Sequence, residues 1–223
     1  MSRMLADRDS TDLHLNLSRR HQRLARRYKQ AALVAAIQTS IDGLAARQST
    51  SAEKELDRQG AYDDVQAADG DLDDAIRNLF SGAESFDRDH LGAGTLAILF
   101  PSGGFGTMIE LEVAQEPDAA EALAIKVETL GTAHTLAPHG VKLKTLAAIV
   151  REALSALNDA VRAAKNAQAE EEIAQGTLRR QYESNYLTAR QSLGRGIAER
   201  IFPGTNRSQA NEPTPPPAVP AIS

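Results

Sequence analysis

The sequence predicts an all-α fold: an elongated antiparallel helical bundle built from two duplicated helical hairpins, with a disordered Pro-rich C-terminal tail. Three observations predict it. Apolar residues recur three, four and seven apart over much of the 223 residues, the spacing of one helix face. Residues 91–101, LGAGTLAILFP, return at an offset of 102 as residues 193–203, LGRGIAERIFP. Aromatic residues are only 4% and Trp is absent, while Ala is abundant, a composition suited to closely packed helices.

Within the repeat, Leu91, Gly92, Gly94, Phe100 and Pro101 recur as Leu193, Gly194, Gly196, Phe202 and Pro203. Upstream, Ile76, Arg77, Phe80 and Arg88 match Leu178, Arg179, Tyr182 and Arg190. The glycines have two readings. Each LGxG can mark a helix end. Alternatively, the two segments approach each other closely about a pseudo-two-fold axis.

The elements follow in order. Asp9, Ser10 or Asp12 caps a first helix running to about Arg47, with Leu13, Leu17, Leu24 and Tyr28 on its stripe. Gln48 to Ser51 reads as a turn, and Thr50-Ser51-Ala52-Glu53 has the form of a capping box. A second helix from about Ser51 to Phe100 completes the first hairpin, 1–101. Residues 102–116 form a Gly-rich connector, in which Thr107 to Val113 alternates as the one strand candidate. The second hairpin is 117–203: Pro117 opens a short helix, Gly131 ends it, and Leu136 to Gly140 is a further break. From Val141 the pattern is helical to Pro203; residues 162–175 read either as a turn, which the repeat favours, or as one continuous helix. The tail is 204–223.

Chemistry is mostly excluded. With no cysteine, disulfides, thiol catalysis and Cys-ligated metals are ruled out. Gly92-Ala93-Gly94-Thr95-Leu96-Ala97 matches a dinucleotide fingerprint but lacks the preceding strand. Asp69 to Asp74 resembles a calcium loop but has Asp74 where glycine is needed and Phe80 where Glu is needed. Asp87 and His90 have metal-ligand spacing that their repeat mates Ala189 and Ser192 do not share. His14 and His21 fall on one stripe as interface or surface residues. No catalytic residue, metal site, cofactor or small-molecule ligand is expected.

The remaining functional signals are three. The likeness of a long helical bundle to an interaction module points to a non-enzymatic structural or protein-interaction role with self-association; Ala31, Ala32, Ala35 and Ala36 offer either an oligomer seam or intrachain packing. The apolar segment 91–113 offers a membrane-active alternative. Arg19, Arg20, Arg23, Arg26, Arg27 and Lys29 offer a nucleic-acid alternative. A turn at residue 50 would instead lay that basic stretch beside Asp69, Asp71, Asp73 and Asp74 as an intrachain partner. The net charge of −5 provides no global field toward nucleic acid. The N-terminus has no signal-peptide apolar region and no run is long enough to span a bilayer, so a cytoplasmic protein is expected.

Overall fold

The computed structural model describes residues 4–101 and 104–202. Pro203 and the expected tail 204–223 lie outside them. The described residues are all-helical, in the order α1 (Thr11–Arg27), α2 (Ala31–Asp89), α3 (Thr95–Leu99), α4 (Gly106–Ile109), α5 (Glu116–Thr129), α6 (Ala137–Leu193) and α7 (Arg195–Ile201). No helix is long and apolar enough to cross a membrane, among the described residues.

The expected turns do not occur where the sequence placed them. The first helix is interrupted early, at Tyr28 to Gln30. Lys29 adopts φ 56, Gln30 N–H donates to the Ala25 carbonyl (2.9 Å) and Lys29 N–H to that of Arg26 (3.0 Å). This is a Schellman stop, with lysine where glycine is usual. Residue 50 then lies inside α2, with no turn. The Thr50 hydroxyl donates to the Ala46 carbonyl (3.1 Å), so it closes onto its own helix and caps nothing. Between Ala31 and Asp89 no proline interrupts the ladder, and four internal glycines cost about 1 kcal/mol each without breaking it. Residues 162–175 are likewise continuous helix in α6, because the segment has no breaker.

The strand candidate is also corrected. Residues 106–109 form a helical turn, and Phe105, Met108, Ile109 and Val113 pack on a core cluster. Their spacing fits a helical face as well as alternation does. Pro117 does open α5 in its first turn, and Gly131 leaves it with φ 99. Leu136 to Gly140 is the start of α6 and not a break.

The chain divides into two compact units. The described residues of Met1–Thr50 and Gln168–Ser223 form unit 1, and Ser51–Ala167 form unit 2. They differ from the sequential halves expected, because α2 and α6 each supply residues to both. In unit 1, Leu15, Leu17, Ile37, Leu44, Leu178 and Phe202 belong to one core. In unit 2, Leu72, Ile76, Leu79, Leu99, Leu123 and Leu143 belong to another. Gly140 lets α6 approach α5 in unit 2: a Cβ there would lie 3.2 Å from Val127 Cγ1 and 3.3 Å from the Ala124 carbonyl oxygen.

Candidate interaction face and buried polar sites

Ser10 caps α1, its side chain accepting from Leu13 N–H at 3.3 Å. The helix is sharply two-sided. His14, Leu15, Ser18, His21, Gln22 and Ala25 are buried. Arg19, Arg20, Arg23, Arg26 and Arg27 are all exposed. At 100° per residue the five arginines occupy an arc of about 120°, and exposed Lys29 follows at the Schellman stop. None of the six forms an ion pair among the described residues.

The intrachain pairing expected for them is therefore overturned. Asp73 and Asp74 are held by Arg77 (2.9 Å each) on their own helix. Asp69 and Asp73 turn toward Glu116 instead. The charge is also unevenly divided. The residues assigned to unit 1 carry 15 Lys and Arg against 10 Asp and Glu, a formal net of +5. Those of unit 2 carry 10 against 20, a net of −10. The overall charge of −5 conceals this separation.

His21 is buried and fully engaged within unit 1. Its Nδ1 lies 3.4 Å from the Ile201 carbonyl and its Nε2 3.2 Å from Asn185 Nδ2. Asn185 Nδ2 also donates to the Leu33 carbonyl (2.9 Å), and its Oδ1 accepts from Gln181 (3.0 Å). These partners require a neutral imidazole with the proton on Nδ1, since Nε2 must accept. Phe202 stacks on the ring and Tyr182 meets its edge. Burial lowers the His21 pKa from 6.5 to about 4, against the smaller opposing effect of the Ile201 carbonyl. His14 is also buried. Of the interface or surface positions the sequence implied, both histidines are at helix–helix contacts inside unit 1 and not at the surface.

In unit 2, Glu116 is 2% exposed and sits at the start of α5. Burial pushes its carboxyl up to about 9, and the neighbouring Asp69 and Asp73 carboxylates act in the same direction; Glu116 Oε1, Asp69 Oδ1 and Asp73 Oδ1 are buried with no other partner among the described residues. A proton on Glu116 turns repulsion among carboxylates into hydrogen bonding. Among the described residues, no group of three or more His, Cys, Asp or Glu is arranged to hold a metal ion. Asp87 is committed elsewhere: its oxygens accept from Thr95 N–H (2.8 Å) and Leu96 N–H (2.9 Å), capping α3. His90 Nδ1 meets the Phe86 carbonyl (3.0 Å).

The repeated glycines are helix ends. Gly92, Gly94 and Gly194 have φ of 89, 65 and 77, and a Cβ on any of them, or on Gly196, would meet nothing within 4 Å. That removes the close-approach reading at these positions. Gly196 lies within α7. Phe100 and Phe202 are buried, Leu193 is half-buried, Pro101 is exposed and Leu91 is 95% exposed, so Leu91 is not a packing residue. In the 91–113 segment, Leu99 and Phe100 are core and Leu96, Phe105, Met108, Ile109 and Val113 pack against it. Leu91, Ala97 and Ile98 of the same segment are exposed. Ala31, Ala32, Ala35 and Ala36 are exposed, so intrachain packing does not account for them.

Sequence reasoning missed the His21–Asn185 contact, because 164 residues separate the partners. It also missed Glu116, whose burial follows from tertiary packing. No family model, curated protein or solved structure matches the chain.

Proposed function

We propose that this protein is a non-enzymatic interaction module that engages a macromolecular partner through the basic face of α1. One observation carries the reading: five arginines share one exposed helical surface, Lys29 follows at its end, and none of the six has an ion-pair partner among the described residues. Like charges at this density repel one another on an isolated helix. An anionic surface relieves that repulsion, and association gains specificity and rate from the complementarity. His21 and Glu116, whose pKa values burial shifts, are enclosed away from solvent and offer no competing catalytic reading.

A photo-crosslinker at position 23 tests the reading against one at exposed Ala148. The expected result in cells is a discrete adduct from position 23 alone, lost when Arg19, Arg26 and Arg27 are changed to Glu. Equal labelling from both positions would rule the face out. Nucleic acid remains a second reading, since a row of arginines also matches phosphates.

We further infer a duplication of α1–α2–α3 as α5–α6–α7. Three features support it. Shifting α1 by 102 gives residues 113–129, against 116–129 for α5. Every buried position of α5 then falls on a buried position of α1, His21 on Leu123 and Ser18 on Ala120 among them. The ring pairs Phe80–Phe100 and Tyr182–Phe202 are both edge-to-face, at 5.2 and 5.0 Å. In this arrangement each unit combines the early part of one copy with the late part of the other. That differs from the two self-contained hairpins expected.

A further inference from the structure

Resting on the basic-face reading, we propose that the partner is a second copy of this chain, with α1 of unit 1 seated on the acidic face of α2 in unit 2 of the next copy. Four observations carry it.

The first is the separation of charge, +5 against −10. A basic and an acidic surface on one chain are complementary between copies.

The second is the local pattern. On α2, Leu56, Gly60, Asp63, Asp64, Ala67 and Asp71 are exposed and fall within an arc of about 100°. Asp63, Asp64 and Asp71 have no ion pair among the described residues.

The third is an unexplained cost. Gly60 and Gly70 lie inside α2, and a Cβ on either would meet nothing within 4 Å. Each weakens the helix by about 1 kcal/mol relative to Ala, and no neighbour among the described residues requires it. They flank Asp63 and Asp64, and with Ala67 they leave a low surface for a second helix.

The fourth is register. A hollow of about 450 Å³ at the α1–α2 corner is lined by Arg26, Lys29, Ala31, Val34 and Ala35 among others. Leu56, 66% exposed, is an apolar side chain suited to it. Asp63 lies seven residues beyond Leu56, about 10.5 Å along the helix, and Arg19 lies the same distance from Arg26. With the helices antiparallel, Leu56 fills the hollow while Asp63 and Asp64 meet Arg19, Arg20 and Arg23. The two surfaces differ, so the contact is heterologous and repeats into rings or filaments.

The test uses the full chain and two variants. The first is Arg19→Glu with Arg23→Glu and Arg26→Glu, which retains the acidic face. The second is Asp63→Ser with Asp64→Ser, which removes the acidic charges and retains the basic face. Circular dichroism establishes that both fold. Light scattering at about 50 mM salt should show assembly of the wild type, reversed at about 500 mM, where screening is several-fold shorter in range. Each variant alone should be monomeric. An equimolar mixture should give a one-to-one dimer and nothing larger, because each partner is blocked on one side. Leu56→Lys should weaken wild-type assembly at least tenfold, because it sets a cation against Arg26 and Lys29. Gly60→Ala should raise the melting temperature of the monomer in high salt while weakening assembly.

A wild type that stays monomeric at low salt, or variants whose mixture forms no dimer, overturns the proposal. Labelled single- and double-stranded oligonucleotides separate this failure from failure of the basic-face reading. If they bind the wild type but not the arginine variant, and no assembly occurs, the face stands and the second copy falls. If neither assembly nor oligonucleotide binding occurs and position 23 gives no adduct, both fall.

Discussion

His21 lies face to face with Phe202, ring centroids 3.9 Å apart and planes 25° apart. The contact joins α1 to the residue just past α7, and Nδ1–H points at the last helical carbonyl, that of Ile201. Charging this imidazole is costly, because Nε2 faces the Asn185 amide donor and the ring is enclosed. The folded pKa is depressed to about 4 from 6.5. Its contribution is thus fully present above about pH 6.5 and lost as pH falls toward 4. The expected loss is about 3 kcal/mol by pH 4, read as a falling urea midpoint. The double variant His21→Leu with Asn185→Ala replaces both polar groups by the apolar residues found 102 positions away, Leu123 and Ala83. It should flatten that acid limb. An unchanged slope between pH 6.5 and 4 would show that His21 does not set it.

Lys29 holds a left-handed conformation that costs a non-glycine residue about 1 kcal/mol. Lys29→Gly should therefore stabilise the protein by about 1 kcal/mol, measured by denaturant unfolding. It also removes one cation from the rim of the α1–α2 hollow. Higher stability should accompany weaker partner binding. A variant that gains in both would separate Lys29 from the interaction face.

Helical content was legible in the sequence because the 3.6-residue periodicity is written in local apolar spacing. Pro117 and Gly131 marked α5 because both act through their own backbone. The connection at Tyr28 to Gln30 was illegible: it contains neither glycine nor proline, and its stop depends on a strained lysine. The turn expected at Thr50 failed because a threonine hydroxyl serves equally well as a cap and as a donor to its own helix. The basic face was legible as a cluster. Its lack of an acidic partner was not, since that depended on the turn. At the proposed offset of 102, His14, Ser18 and His21 fall on Glu116, Ala120 and Leu123, which share burial but no residue identity, so in the sequence the proposed duplication rests on the motif around Phe100 and Phe202 alone.

Asp87 anchors α3 from a neighbouring helix, and hydrogen bonds from the Leu96 and Thr95 amides hold its carboxyl below the usual range. The folded pKa is lowered, so this contribution is present above the unfolded value near 4 and lost as pH falls through the folded one. Asp87→Ala should raise hydrogen exchange at Thr95 and Leu96 about tenfold at neutral pH. Amides in α6 should be unaffected. Asp87→Asn should retain part of the cap, because its carbonyl still accepts. Unchanged exchange in the Ala variant would show that α3 is held by Leu99 and Phe100 alone.

Glu116 gives unit 2 the opposite response to that of His21 in unit 1. Its folded pKa is raised to about 9. Its contribution is therefore fully present below the unfolded value near 4.5 and is lost as pH rises toward 9. At neutral pH the folded state must hold a proton that the unfolded state releases. Glu116→Gln supplies a permanent donor of nearly the same shape to Asp69 and Asp73. It should raise the melting temperature by several degrees at pH 8 and by little at pH 5. Glu116→Ala should be destabilising at pH 5, because a proton on Glu116 is the one donor at hand for Asp69 Oδ1 and Asp73 Oδ1, which are buried with no other partner among the described residues. Following tyrosine and histidine signals separately by NMR should show unit 1 loosening first in acid and unit 2 first in base. Loss of both units together at every pH would mean that α2 and α6 couple them into one cooperative transition. A Glu116→Gln variant with no gain at pH 8 would place a charged carboxylate, and not a protonated one, at the head of α5.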